Sequence, residues 1–371
     1  MSRPASAQLT AGQPIANEPA VAAADALYVP DWCKPGATIV YYGGQFSETD
    51  DDKKQRLAGL GWTRYDVAAV TPTKVFLARS TYLDNQPNPT TYHSQPPLAL
   101  SAADINSSTA LWASPEALKL LAAGNGPTKV TTSTLKLADG DHDVTVVEYI
   151  KDDRADRKHY DNKTGLLLQS MTGTGRLLDG EDGRNPFRRK QSSNDEFRAL
   201  RQRELPWLNA PAPAWAGVFK QLTFRGQRTQ TMQGMPPFVL SVEQTFRVVE
   251  RGADWCLGEL TTQMVPMMAG GMPGQPLPDE KSLLVHGPGS PTVWIAPAVL
   301  QNMKEGVIDR DPTLGVEIRF RRSGDAAFLV ETGANNSYES TRVFDARDGV
   351  LRQYMLVKGD VTFVLELVDR Q

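Results

Sequence analysis

Cysteine occurs only twice in the 371 residues, at Cys33 and Cys256, and histidine four times, at His93, His142, His159 and His286. Two cysteines exclude a disulfide-dense scaffold. The histidines form neither an H-x-x-x-H nor an H-E-x-x-H pair, so the helical zinc signatures are missing. There is no G-x-S-x-G elbow, Walker loop or strand-borne G-x-G-x-x-G. The sequence therefore nominates no catalytic residue, no metal ligand set and no cofactor. A carboxylate pair for glycoside hydrolysis stays open only because Asp and Glu are abundant. A formal net charge of −3 gives no argument for nucleic acid as a partner. No run approaches the ~20 apolar residues of a membrane-spanning helix.

What is present is repetition. Tyr160-Asp-Asn-Lys-Thr-Gly-Leu-Leu-Leu-Gln-Ser-Met171 has a twin in Phe344-Asp-Ala-Arg-Asp-Gly-Val-Leu-Arg-Gln-Tyr-Met355, at an offset of 184. A polar turn with Asp and Gly between strand-like flanks predicts a β-hairpin, with Gly supplying the positive φ. Trp112-Ala-Ser-Pro-Glu-Ala-Leu118 pairs with Trp294-Ile-Ala-Pro-Ala-Val-Leu300 at an offset of 182. Pro at a first helical position predicts one short helix after each Trp. A third pair, Tyr65 to Val75 with Phe246 to Cys256, lies at an offset of 181. Three pairs in one order predict an internal duplication. The expected fold is mostly β: two tandem copies of a curved antiparallel sheet, each with one short helix.

The expected boundaries follow. Residues 1–34 are an Ala/Pro-rich tether that cannot bury enough apolar area to fold alone. This stretch lacks the basic start and apolar core of a signal peptide, and reads as the segment left after one is removed. Residues 35–180 and 213–371 are the two β-rich repeats, the second opening on a strand Trp215 to Phe224. Residues 181–212 join them as a basic linker, with seven basic against two acidic residues in 184–203. Ser192 or Ser193 is positioned to cap a helix there, running to about Glu204. That helix is either a solvated connector or a basic face for an acidic partner.

Three local features carry the binding expectations. Met264, Met267, Met268 and Met272 lie among Gly and Pro, a flexible thioether surface suited to an apolar ligand or partner. Copper(I) is the other ligand thioethers accept, but no Cys or His stands beside them. Asp139-Gly-Asp-His-Asp143 resembles the start of a calcium loop, yet Ile150 stands where its twelfth-position glutamate belongs. Neither Cys33 nor Cys256 has a cysteine at the matching position of the other copy (Cys256 aligns with Val75), and the two form the one possible disulfide, tying the N-terminal segment to the second repeat, or stay two separate buried thiols.

The element order of each repeat, with its Asp-Gly hairpin (Tyr160–Met171 and Phe344–Met355), resembles the periplasmic half-barrel proteins of the lipoprotein-carrier type, the LolA-, LppX- and MucB-like group. That resemblance implies a curved sheet around a helical plug and an apolar cavity, and an extracytoplasmic carrier or sensor of lipid or protein. It transfers no site residue. The functional expectation is a non-enzymatic extracytoplasmic binding protein for an apolar molecule or a protein partner. The alternatives are an accessory subunit of a larger assembly, or a hydrolase with its site between the repeats.

Overall fold

In the computed structural model the described residues are 28–48, 54–71, 75–84, 91–93, 101–104, 111–114, 118–119, 128–178, 185–208, 219–267 and 272–371. They are mostly β, in two antiparallel sheets. The first contains β1 (Ala37–Glu48), β2 (Gln55–Val70), β3 (Val75–Asp84), the short β4 (Thr91–His93) and β5 (Ser101–Asp104), β6 (Thr128–Leu137), β7 (Gly140–Lys151), β8 (Arg154–Asp161), β9 (Leu167–Leu177) and β10 (Arg189–Gln202). Its order is β4-β3-β2-β1-β10-β9-β8-β7-β6, with β5 also on β3. The second contains β11 (Gln221–Met232), β12 (Met235–Arg251), β13 (Cys256–Met267), β14 (Glu280–His286), β15 (Gly306–Asp311), β16 (Val316–Ser323), β17 (Ala326–Thr332), β18 (Glu339–Asp345), β19 (Leu351–Lys358) and β20 (Val361–Arg370). Its order is β14-β13-β12-β11-β20-β19-β18-β17-β16-β15. In both sheets the first strand therefore pairs with the last.

The sequence from Gly315 to Leu367 reads as five consecutive strands, and β16–β20 match them to within a few residues. The helix expected after Trp294 is α1 (Pro297–Asn302), with Pro in its first turn. The one expected after Trp112 lies mostly outside the described residues. Leu118 is placed, its N–H donating to the Ser114 carbonyl at 3.0 Å.

The basic segment corrects the sequence reading. Residues 189–202 form a strand, β10, not a helix. β10 fills the gap between β1 and β9, pairing Ile39 with Leu200 on one side and Ser170 with Asp195 on the other. A helix there would leave two rows of backbone groups unpaired. The cations that suggested a solvated helix are used internally. Buried Arg189 donates from Nη1 to the carbonyls of Asp152 (3.1 Å) and Gly175 (2.9 Å). The first sheet thus runs through Gln202, and among the described residues the second starts at Gln221; Trp215, where its opening strand is expected to begin, lies outside them.

The two Asp-Gly hairpins are built alike. Gly165 and Gly349 have φ of 69° and 79°, the left-handed region glycine occupies without a Cβ clash. The N–H groups of Gly165 and Gly349 donate back to the Asp161 and Asp345 carbonyls, at 2.8 and 2.7 Å. A Cβ on either glycine would lie 2.5 Å from the Ala113 carbonyl oxygen or 2.0 Å from that of Ile295. The close approach is a β-bridge: Trp112 pairs with Leu166, and Trp294 with Val350. Both indoles are buried, Trp112 T-stacked on Trp32 at 5.4 Å and Trp294 on His286 at 6.4 Å. The Trp294 indole N–H donates to the Asp348 carbonyl at 2.9 Å. At the corresponding Thr164 carbonyl the donor is Trp32, at 3.1 Å.

Strands β1–β3 are buried on both faces. Ile39, Tyr41, Val67, Val75 and Leu77 join Cys33, Trp112 and Phe197 in the core of the first sheet. Val40, Ala68, Phe76, Ala78 and Tyr82 belong instead to one continuous core with Phe224, Phe246, Trp294 and Tyr354 of the second. Period-two alternation makes this division possible. Phe76 meets Trp255 with ring centroids 4.4 Å apart. Gly289 donates its N–H to the Ala68 carbonyl at 2.9 Å, and a Cβ there would lie 1.8 Å from the Val67 carbonyl oxygen.

Charges cross the same seam. Arg203 donates from Nε to Asp309 at 2.8 Å and from Nη1 to Asp66 at 3.4 Å. Arg201 grips Asp309 with both terminal nitrogens, at 2.6 and 3.1 Å. Thr38 and Arg64 also reach Asp66, at 2.7 and 3.1 Å. Burial pushes the Asp309 carboxyl up, but the Arg201 hydrogen bonds and the Arg203 charge outweigh it and hold the pKa below the ordinary carboxylate value.

The outward face of β11–β13 has the opposite character. In register, the Tyr42–Trp62 and Asp66–Ala78 pairs of the first sheet correspond to Arg225–Glu243 and Arg247–Glu259 of the second. These are ion pairs, at 2.6 and 3.4 Å, with both arginine side chains well exposed.

Two outcomes follow. Asp309→Asn removes the carboxylate shared by buried Arg203 and half-buried Arg201, which keep Asp66 and Asp311 nearby, and is expected to cost ~1.5–3 kcal/mol in a urea melt. Asp309 has a depressed folded pKa, so its contribution is present above its unfolded pKa of ~3.9 and lost as pH falls through the folded value. The variant should therefore show a shallower loss of stability than the wild type below about pH 4. Trp294→Ala should cost ~3–5 kcal/mol. A loss under ~1 kcal/mol would show that the indole is no core anchor.

Candidate functional site

The first sheet borders an open cleft of about 330 Å³, at the small end of small-molecule sites (~300–1,000 Å³). Three pieces of the sheet shape it. The turn after Gly165 delivers Leu166 and Leu168, and β10 delivers Phe197, Ala199 and Leu200; these form the apolar part of the lining. The β6–β7 hairpin brings Asp139 and His142 to the polar side, where Asp161 and Thr164 complete it. Asp161 caps its own turn, accepting the Thr164 N–H at 2.8 Å. His142 lies between two carboxylates, with Nε2 3.1 Å from Asp139 and Nδ1 3.9 Å from Asp161.

In the corresponding hairpin of the second sheet the capping aspartate is ion-paired. Asp345 accepts from Arg347 at 2.9 Å and from Arg352 at 3.1 Å, and Arg352 also reaches Asp348 at 2.9 Å. Hydrogen bonds from Arg347, with added contributions from the nearby guanidinium charges, hold the Asp345 carboxyl far below the usual carboxylate range. At the offset of the repeat, Leu168 stands where Arg352 stands, and Lys163 where Arg347 stands. Leu168 is buried in the first core, whereas the Arg352 side chain is 41 % exposed and turned to the carboxylates.

The residues nominated from sequence lie elsewhere. Met264 packs half-buried against the second core. Met267 ends β13 and is bridged to Pro273. Met272 is 66 % exposed, and Met268 lies outside the described residues. None of the three described methionines lines the cleft. Among the described residues no three His, Cys, Asp or Glu side chains gather as a metal set, the Asp139–Asp143 segment included. The signal that would have found the cleft was the Leu166-Leu167-Leu168 run, set against Val350-Leu351-Arg352 in the twin.

The bond expected between Cys33 and Cys256 is absent: both are free thiols, Cys33 in the first core and Cys256 in the second. Burial pushes each thiol up to about 12. Neither is a nucleophile at neutral pH, since the thiolate is the reactive form. Titration with a thiol reagent should find no fast-reacting group in the folded chain and two after unfolding, with or without prior reductant. A chain that gained thiols only on reduction would contradict the two separate cores.

No protein-family model matches the chain, and no curated protein matches it either.

Proposed function

We propose that the chain is a non-enzymatic binding protein that holds a small apolar or lipid-like molecule in the cleft of its first sheet, and that it works outside the cytoplasm. The observation that carries the reading is the contrast between the two Asp-Gly hairpins. In one the capping aspartate is ion-paired to Arg352, while the other borders an open cleft of about 330 Å³ against leucine and phenylalanine side chains. A well-formed apolar pocket with a few convergent polar groups is the default ligand site of a fold. The shared strand order and hairpin bonding support an origin by duplication. Val29, Trp32 and Cys33 pack on the first core, so the tether is shorter than the expected 1–34; the Ala/Pro-rich composition before them is what supports the extracytoplasmic assignment.

A protein partner at the second sheet is the other reading, favoured by the exposure of Met235 (52 %), Phe238 (44 %) and Met272 (66 %).

The test is a titration with a neutral solvatochromic dye such as Nile red. The wild type should brighten and blue-shift the dye. Leu168→Trp, which enlarges a buried side chain that lines the cleft, should remove most of that response in a chain that still folds, with an overpacking cost of ~1–3 kcal/mol in a urea melt. Equal responses from both proteins would place the dye elsewhere and sink the cleft reading.

A further inference from the structure

We infer that one water molecule is bound where the segment leaving β10 meets the second sheet, held by Trp207, Glu331, Arg342 and Pro291. A cavity of about 30 Å³ lies there, lined by Trp207, Pro291, Ile318, Leu329, Glu331 and Arg342. One water needs roughly 10–15 Å³ of such space and a few polar partners. The cavity is too small for an organic ligand, whose sites begin at ~300 Å³. Trp207 belongs to the second core and is only 7 % exposed. Its indole nitrogen is buried and has no hydrogen-bond acceptor among the described residues. An indole nitrogen can only donate, and a buried donor left unpaired destabilises the fold. Three other indoles show the ordinary solution: Trp32, Trp112 and Trp294 each donate to a backbone carbonyl, at 3.1, 3.0 and 2.9 Å.

The polar groups around the cavity select the species. Glu331 is buried and accepts the Tyr338 hydroxyl at 2.7 Å. A carboxylate offers about four acceptor positions, so Tyr338 and a water can share it. Arg342 donates from Nη1 to the Pro291 carbonyl at 3.4 Å, and a guanidinium has further N–H donors beyond that one. An anion here would meet the Glu331 carboxylate and the Pro291 carbonyl. A cation would meet the Trp207 N–H and the Arg342 charge. Water satisfies both sets, accepting from Trp207 and Arg342 and donating to Glu331 and Pro291. These partners come from the segment after β10, from the residues before Trp294, and from β17 and β18. The water therefore ties the end of the first sheet to two strands of the second.

The experiment is NMR of the isotope-labelled full chain, reading cross-peaks between water and the tryptophan indole protons. Trp207→Phe removes one indole signal and so identifies it. The wild-type Trp207 indole should show a water cross-peak with the sign of the protein's own internal cross-peaks, which a fast-exchanging surface water does not give. A rotating-frame measurement should assign that peak to dipolar contact and not to proton exchange. Leu329→Phe, which adds volume to the cavity lining, should abolish the peak and leave the other indole signals in place. Should this variant lose the dispersed spectrum of a folded chain, Ile318→Phe fills the same space and carries the same expectation. No water peak at Trp207 in the wild type, a peak of pure exchange, or one that survives in a folded, filled variant would overturn the inference. So would an anomalous signal beside Trp207 Nε1 in crystals soaked in bromide, which would assign the site to an anion.

Discussion

Strands β1–β3 have no solvent side over much of their length, and the rest of the molecule is arranged to satisfy that condition. Ile39 and Tyr41 serve one core and Val40 the other; Val75 and Leu77 serve one, Phe76 and Ala78 the other. A one-residue slip would exchange the two sets and place Tyr82 and Phe76 in the wrong core. The second sheet is therefore more than a neighbour. It is the apolar environment that one face of the first requires, and Arg201 and Arg203 meet Asp309 at the edge where that face ends.

Much of the frame was legible because its determinants are local. Gly165 and Gly349 announce left-handed turns, and the alternating strands after Gly315 announce themselves by period two. Trp112 and Trp294 were legible as anchors because a large aromatic recurred at one offset. β10 was misread because the partners of its cations are remote. Arg203 is separated by 106 residues from Asp309 and by 137 from Asp66. Locally, Ser192 and Ser193 before a run of charges look like a helix start; only the gap between β1 and β9 makes that stretch a strand. The methionines drew attention through composition, whereas the cleft is bordered by a leucine whose meaning emerges only beside Arg352.

The two hairpins also show how little sequence separates an ion-paired turn from one beside a cleft. Their backbone bonds agree to within about 0.1 Å where both are measured, at Gly165 and Gly349. The difference lies in which side chain follows the turn. An arginine folds over the capping aspartate and pairs with it; a leucine turns into the core instead. His286 shows the limit of such tolerance in a closed region: burial pushes its pKa down to about 3, and its Nδ1 accepts the Thr292 N–H at 3.2 Å. It is a neutral structural side chain.

The charged outer face of β11–β13 has a consequence for the number of units in the chain. The first sheet offers Tyr42, Trp62 and Phe76 on a face that a sheet of this kind covers. Were the second sheet to carry the same residues at those register positions, it would present the same adhesive surface to a further molecule. Each addition would expose another copy, and a contact of this head-to-tail type grows into a fibre unless its rotation closes a ring. Arg225, Glu243, Arg247 and Glu259 end the series. They act as a terminal cap of the kind that repeat arrays need to stay soluble, and they make two the length at which stacking stops.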